Sequence, residues 1–509
     1  MPVSASRIIK LHAADNVAVA VTSIEAGHVL SDPHLVCRDP IPSAHKIAIA
    51  PIDKGESVIR YGHIIGAASR KIEPGEHVHT HNMGMLDYER EYRIGVDVKD
   101  LKPIPDKDRA FFQGFVREDG RVATRNYVGV VATVNCSAGV AGFIADYFDS
   151  EKMKAFPNVD GVVPVVHGLG CGLADRGEGI ETFQRTLAGW ARHPNFSGIL
   201  MIGLGCEANL VETMTDILSV KPSRMFRTLN IQSTGGTKKT MEKGIGFVSE
   251  MLEQANLCRR QPVPASHLVV GLECGGSDAF SGITANPALG AAADQVILHG
   301  GTAILSETTE IYGAEQLLVR RAVSEDVGRK LIDRIHWWED YTQRNGVVIN
   351  NNPSPGNKEG GLTTILEKSL GAVAKSGSTN LVDVYRYAEA VTAQGLVFMD
   401  TPGYDVVSVT GMIAGGANIV CFTTGRGSVF GSKPVPTLKL ATNSPMYERM
   451  MGDMDINCGS ILDGEVTVSE VGERIFQKIL DTASGRKTKS EELGFGNLEF
   501  VPWQIGAFL

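Results

Sequence analysis

The sequence predicts an α/β protein in which a small all-β module precedes a large region of Rossmann-like, parallel-sheet α/β subdomains. Three observations carry this. Residues 8–83 hold only short apolar runs separated by Gly, Pro and Asp turns, with no helical period. From Gly114 onward, near-continuous apolar runs alternate with stretches of helical spacing, as strands buried on both faces and their covering helices do. At 509 residues the chain exceeds one ordinary hydrophobic core, so several domains are expected.

In the β module, Ile9–Leu11, Val17–Val21, Lys46–Ile49, Val58–Tyr61 and Ile64–Ser69 read as strands, with turns at Asp53-Lys54-Gly55 and Pro74-Gly75. Residues 84–110 are charged and carry Pro103 and Pro105, and read as a linker or strap over the next domain. The expected division is a module at 1–95, a linker at 96–113, and α/β subdomains at 114–262 and 263–509.

In the first subdomain, Asn126–Val134 reads as a doubly buried strand and Val140–Phe148 as a helix. Strands at Gly161–Val166, Gly198–Ile202 and Met225–Leu229 then alternate with helices at Gly179–Ala191, Leu210–Leu218 and Lys238–Leu257. The pattern restarts with strands at Leu268–Val270, Gln295–Leu298 and Ala303–Ser306 and helices at Ala314–Arg321 and Glu325–Arg344. A polar, glycine-rich passage follows at Asn345–Gly377. Short strands and glycine turns occupy 396–458, and Ser469–Ala483 reads as a last helix.

Composition excludes several classes. The apolar share is 43%, the charged share 21% and the net charge −9, with no long basic stripe, so nucleic-acid binding is not expected. No run of 18 apolar residues occurs, so no membrane span is expected. The start of the chain lacks the pattern of a signal peptide, which points to a cytoplasmic protein with its eight cysteines reduced. A homodimer is expected only from the frequency of twofold assemblies.

The candidate chemistry lies at strand ends. Gly271–Gly290 packs Cys274, Ser277, Asp278 and Asn286 among glycines directly after an apolar run. Small residues let backbone approach a ligand, and the polar groups orient it. Cys136, Cys171 and Cys206 occupy similar settings, and ligands of open parallel sheets bind outside the carboxyl ends of strands. The four cysteines are a candidate second metal locus, for iron or an iron–sulfur cluster; singly, each reads as a small buried hydrophobe. His167, Glu207 and Asn209 stand beside them.

Two further loops suit a carboxylate or phosphate. One holds Lys358 within Asn352–Gly361, and the other holds Arg426 within Thr423–Ser428. Neither a Walker loop nor a complete GxGxxG is present. At the end of the β module, His77, His79 and His81 alternate, so a strand would place them on one face, where two imidazoles can chelate a divalent ion. Imidazole also serves as a general acid or base near neutrality.

Together these motifs resemble the altronate/galactarate dehydratase family of sugar-acid dehydratases. The resemblance runs through nearly the whole chain: GEHVHTHN, TRN at 124–126, NC at 135–136, HGLGC, GLGCE, LECGGSDAFSGITANP, NPSPGNKEGG, KSLG at 368–371 and TTGRG. It implies that the β module is a β-clip of SAF type. It also implies loss of water from a hexonate or hexarate to give a 2-keto-3-deoxy acid, with a divalent metal, Fe²⁺ or Mn²⁺. The histidine-rich end resembles the altronate branch. AFSGITANP, the helix around Glu325–Trp338 and Met454-Asp455-Ile456-Asn457 resemble the galactarate branch. The histidines weigh more because they can touch the ligand.

On this reading His77 and His79 are metal ligands, and His81 is a ligand or acid/base. His167 is an alternative base. Lys358 or Arg426 clamps the carboxylate, and Ser277, Asp278 and Asn286 meet the hydroxyls. Two alternatives use the same parts: a sulfo-lyase acting on a sulfonated hydroxy acid, and a sugar-acid-binding protein without activity.

Overall fold

The structure, a computed structural model, describes residues 7–31, 34–86 and 90–506. The outermost residues of the first and last expected domains lie outside these. In the N-terminal module, Ile8–Ile9, Val17–Ala20, Lys46–Ala48 and His77–Val78 pair antiparallel in that order. Ser57–Arg60, His63–Ala68 and Met83–Gly84 make a second antiparallel sheet, and Val29–Ser31 pairs with His34–Val36. The strands are short because turn residues recur every few positions. Gly75, at φ +90°, shows why one must be glycine: a Cβ there would collide with the carbonyl oxygen of Val36.

The module does not keep its whole core to itself. One apolar cluster runs from Val58, Ile65 and Ile72 of the module into Leu289, Ile311 and Leu370 of the C-terminal unit. Burial of that shared surface fixes the module against the sheet that follows.

The middle unit is a four-stranded parallel sheet in the order Gly161–Val165, Tyr127–Ala132, Phe196–Gly203, Phe226–Asn230. The first strand in the chain is therefore an inner strand, and the second and third lie on its two sides. Helices Asn135–Tyr147, Glu178–Ala191, Val211–Leu218 and Thr237–Ala255 alternate with these strands, as their spacing predicts. The C-terminal unit is a seven-stranded sheet whose recorded pairings are all parallel. Its order is Leu381–Tyr385, Gly395–Met399, Thr302–Leu305, Val269–Cys274, Ile419–Thr424, Thr437–Ala441, Ile456–Asn457. A three-stranded antiparallel sheet, with Phe111–Val116 between Val122–Ala123 and Arg260–Pro264, joins the two units.

Four expectations need correction. Gln295–Leu298 is not a strand but the last turn of the helix Ala285–Leu298, whose small residues Ala288, Ala292 and Ala293 are buried on the C-terminal core. Asn345–Gly377 contains the helices Pro355–Glu359 and Ile365–Val373. The helix expected over Ala314–Arg321 shrinks to Gln316–Val319. The strap lies not over the next unit in the chain but along the C-terminal one. Gly95 and Asp97 donate backbone bonds to Val319 and Arg320, and Ile104 donates to Leu298. No helix among the described residues is long and apolar enough to cross a membrane.

Candidate active site

The histidine cluster is built by strand pairing. Lys46–Ala48 lies antiparallel to His77–Val78 with Ile47 opposite His77, which brings His45 alongside. His45 Nδ1 stands 2.9 Å from His77 Nε2, and the His45 and His79 ring centroids are 4.8 Å apart. His77 and His79 stack at 5.5 Å. One ring nitrogen from each of the three lies within 4.8 Å of the others. The expected uninterrupted strand is absent. It ends at Val78, and His79 stands in a turn whose backbone N–H donates to Asn82 Oδ1 while Asn82 Nδ2 donates to the His77 carbonyl. His81 is exposed, its ring 5.3 Å from that of His77, and it lies outside the group of three.

These residues fit a divalent metal on their own geometry. His79 Nδ1 is buried and has no protein partner. His45 Nε2 lies 3.1 Å from the Glu359 carbonyl, the kind of outer bond that fixes a ligating imidazole's orientation. Burial, reinforced by the neighbouring cations, lowers the pKa of His77 to about 4 and of His79 to about 3, and burial also lowers that of His45. All three are neutral near pH 7, the state that ligates.

Immediately beside this cluster, a single carboxylate takes two cations. Glu367 accepts from Lys46 Nζ at 2.9 Å and from Arg60, and all three side chains are buried. Thr363 adds its backbone N–H at 2.9 Å and its hydroxyl at 2.6 Å. Burial alone would raise the Glu367 pKa; Lys46 and Arg60 overcome it and bring it down to about 2. Arg60 also donates to the Ala279 carbonyl, tying the module to the 274–281 loop.

That loop borders a cleft of about 390 Å³ between the module and the C-terminal unit. Asp278, Arg426, Arg449, Asn443 and Ser444 line it, with Ser43 from the module. Asp278 is buried and accepts from Thr442, Ser281 and Asn443 side chains. Burial pushes its carboxyl up. Ser277 Oγ is buried without a partner. Asn286 is fully engaged, donating to the Gly371 carbonyl and accepting from Thr423 Oγ1. Arg426 is half-exposed and pairs with Glu359 at 3.1 Å. Lys358 is half-buried on the short helix Pro355–Glu359, which Ser354 and Asn357 cap reciprocally.

Cys274 is separate from the other strand-end cysteines. It ends a strand of the seven-stranded sheet, buried with Glu307 and Glu310. Lys375 Nζ reaches its sulfur at 2.8 Å, and Lys368 pairs with Glu310 at 2.6 Å. Burial raises the thiol to about 12. Glu273 and Glu307 are also pushed up, by burial and for Glu307 also by carboxylate repulsion, and burial lifts Asp405 to about 6. Lys368 and Lys375 stand against these acids and the thiol, so charge is paired within the cluster.

Cys136, Cys171 and Cys206 follow three strands of the four-stranded sheet, Cys136 in the first turn of a helix and the other two in loops, and all three are exposed. His167 is buried beside them with both ring nitrogens in use: Nε2 bonds the Ala132 carbonyl at 3.0 Å and Nδ1 accepts from the Leu169 N–H. Sequence reasoning missed His45, Glu307, Glu310, Glu367, Lys375 and Asp405. Glu307 and Glu310 carried the strand-end signal seen elsewhere. His45 and Glu367 carried none, because only the fold brings them to their partners.

A cleft lined with acids and arginines, with a group of neutral imidazoles from the adjoining module beside it, suits a hydro-lyase, which must move one proton and release one hydroxyl. Family models match three successive stretches. These are the altronate/galactarate dehydratase SAF domain at 6–86, the D-galactarate dehydratase/altronate hydrolase second domain at 114–256, and the D-galactarate/altronate dehydratase C-terminal domain at 265–508. The altronate dehydratase of Bacillus subtilis (strain 168) is 36% identical, covering 96% of this chain and 97% of its own. The galactarate dehydratase (L-threo-forming) of Escherichia coli (strain K12) is 38% identical, covering 96% and 95%. The beta subunit of the (2R)-sulfolactate sulfo-lyase of Chromohalobacter salexigens is 32% identical over 77% of this chain and 96% of its own. The chain belongs to the altronate/galactarate dehydratase family and is a hydro-lyase.

Proposed function

We propose that the protein removes water from a hexonate, D-altronate, to give 2-dehydro-3-deoxy-D-gluconate, with a divalent metal, Fe²⁺ or Mn²⁺, held by His45, His77 and His79. The carrying observation is the group of three neutral imidazoles, one of them with a buried, unpartnered nitrogen, beside a cleft that holds Arg426 and Arg449. The metal supplies charge stabilisation for the enediolate that forms when the C2 proton leaves.

The chain's own groups do the rest. Arg426, with Lys358 nearby, binds the carboxylate in a charge-assisted pair. Asp278, which lines the cleft, meets a hydroxyl there, Ser277 stands next to it in the chain with a free buried hydroxyl, and Asn286 braces the strand end through Thr423. His81, exposed beside His77, carries the C2 proton away, and an acid protonates the C3 hydroxyl as it departs as water. The enol then tautomerises to the 2-keto acid. His167, whose nitrogens are committed to backbone, positions its loop.

A second reading, D-galactarate dehydration to 5-dehydro-4-deoxy-D-glucarate, is favoured by Arg449, which lines the same cleft as Arg426 and gives it a second cation for a second carboxylate. An anaerobic panel of hexonates, hexarates and sulfolactate with Fe²⁺, read as keto-acid release, decides. Altronate turnover well above galactarate is expected, and sulfite release from sulfolactate would overturn both dehydratase readings. His79→Ala is expected to lose bound iron and turnover together; wild-type levels of both would sink the histidine assignment.

A further inference from the structure

The middle sheet holds three exposed thiols at its topological switch point. Its strand order places the first strand, Tyr127–Ala132, between the second, Gly161–Val165, and the third, Phe196–Gly203. In such a sheet the crevice for a ligand opens beyond the carboxyl ends, where successive connections depart in opposite directions. Cys136 follows the first strand, Cys171 the second and Cys206 the third. Neighbouring strands are about 4.8 Å apart, so this connectivity gathers the three loops at one edge.

Hydrogen bonds hold the loops together. Asn135 N–H donates to the Leu169 carbonyl at 2.8 Å, and Asn135 Nδ2 donates to the His167 carbonyl at 3.1 Å. On the other side Ser137 Oγ donates to the Ile202 carbonyl at 2.8 Å. Thr133 Oγ1 donates to Glu207 at 2.9 Å, and the same carboxylate collects the N–H groups of Leu204, Gly205 and Cys206. Cys136 is thereby bracketed by the loops that carry Cys171 and Cys206.

The setting suits ligation through sulfur. Cys136 is the second residue of a 13-residue helix, whose N-terminus favours negative charge. Gln232 Nε2 lies 3.4 Å from Cys206 Sγ, the kind of hydrogen bond to sulfur that tunes a cluster. Added methyl groups at Gly168 and Gly170 would meet nothing within 4 Å, so the space beside the loop is open. Cys37, Cys274, Cys421 and Cys458 are buried, which sets these three apart.

We propose that Cys136, Cys171 and Cys206 ligate a four-iron, four-sulfide cluster with one iron left open to an exogenous oxygen ligand. A lone ion does not fit as well. Among the described residues, two groups bring three ligand atoms within 4.8 Å of one another, and these cysteines form neither. A cluster spreads its thiolates over a wider triangle than one tetrahedral ion. Cys274 is sealed in the other sheet and takes no part, which leaves the fourth iron open.

The test uses the full-length protein reconstituted anaerobically with ferrous iron and sulfide. Iron and acid-labile sulfide are expected in equal amounts, with a paramagnetic signal after reduction. Cys136→Ser, Cys171→Ser and Cys206→Ser are each expected to lower bound sulfide at least about tenfold. Cys258→Ser and His79→Ala should keep it, so failure of the histidine metal site and failure of the cluster are distinguishable. Absence of acid-labile sulfide from reconstituted protein with a native circular dichroism spectrum overturns the proposal, as does retention of sulfide in all three variants. Thiol alkylation of the wild type covers the case of unfolded variants. Cys136, Cys171 and Cys206 should be protected after reconstitution and reactive before it, and equal reactivity in both states overturns the cluster.

Discussion

Glu367 is the most consequential single residue outside the metal group. Its carboxylate pairs with two buried cations, one from each of two module strands. Removing one partner of such an arrangement leaves charge stranded in low dielectric, a cost of about 3–5 kcal/mol. Glu367→Gln is therefore expected to lower the unfolding free energy by that order, measured by denaturant titration. The pH dependence follows from its depressed pKa. A carboxyl at about 2 in the folded state and near 4.3 unfolded gives stability that is complete above the unfolded value. It is lost as pH falls toward 2, because there the unfolded chain binds the proton first. The wild-type curve should steepen below about pH 4.3, and the Gln variant should lack that component. At this scale the sequence was legible in part. His77 and His79 stood out by spacing, and Asp278 by its glycine-rich surroundings. His45 and Glu367 did not, since each acquires meaning only from a pairing the fold makes: His45 from the strand that carries His77, Glu367 from cations about three hundred positions away.

Elements show how the short helix at Pro355–Glu359 presents Lys358. Its hydrogen-bonded frame is the reciprocal pair of Ser354 and Asn357, and Asn357 also donates to the Ser277 carbonyl at 2.8 Å. Ser354→Ala should cost about 1 kcal/mol locally. Because the cap orients both Lys358 and the Ser277 loop, KM is expected to rise several-fold with kcat little changed; an unchanged KM would remove Lys358 from substrate binding. The alternation of strands and helices was readable because parallel strands are uniformly apolar and their helices amphipathic. Ile365–Val373 escaped because every one of its residues is buried, so no polar face marked a period. Val296-Ile297-Leu298 passed for a strand because a short apolar run is compatible with a buried helix end.

For the whole molecule, a metal bound at His45, His77 and His79 would act on both the module and the C-terminal unit, because His45 also bonds the Glu359 carbonyl. A ligand that binds only the folded state stabilises it by mass action, about 2.7 kcal/mol at a hundredfold excess over Kd. Adding Fe²⁺ anaerobically should raise Tm with concentration, and a chelator should reverse it. His79→Ala should abolish the shift attributable to this site, and a persisting shift in that variant that Cys136→Ser removes would place it at the cysteines. The order of the three units was legible from composition and period. The position of the strap was not, because its anchors, Val319 and Arg320, lie more than two hundred residues downstream.

The buried trio of Lys46, Arg60 and Glu367 also sets terms for protein engineering. Grafting this chain's N-terminal module onto the remainder of a relative transfers both cations while leaving their counter-ion behind. A chimera joined anywhere between the two would have to inherit a matching acid on the helix Ile365–Val373, or carry an uncompensated charge at its seam.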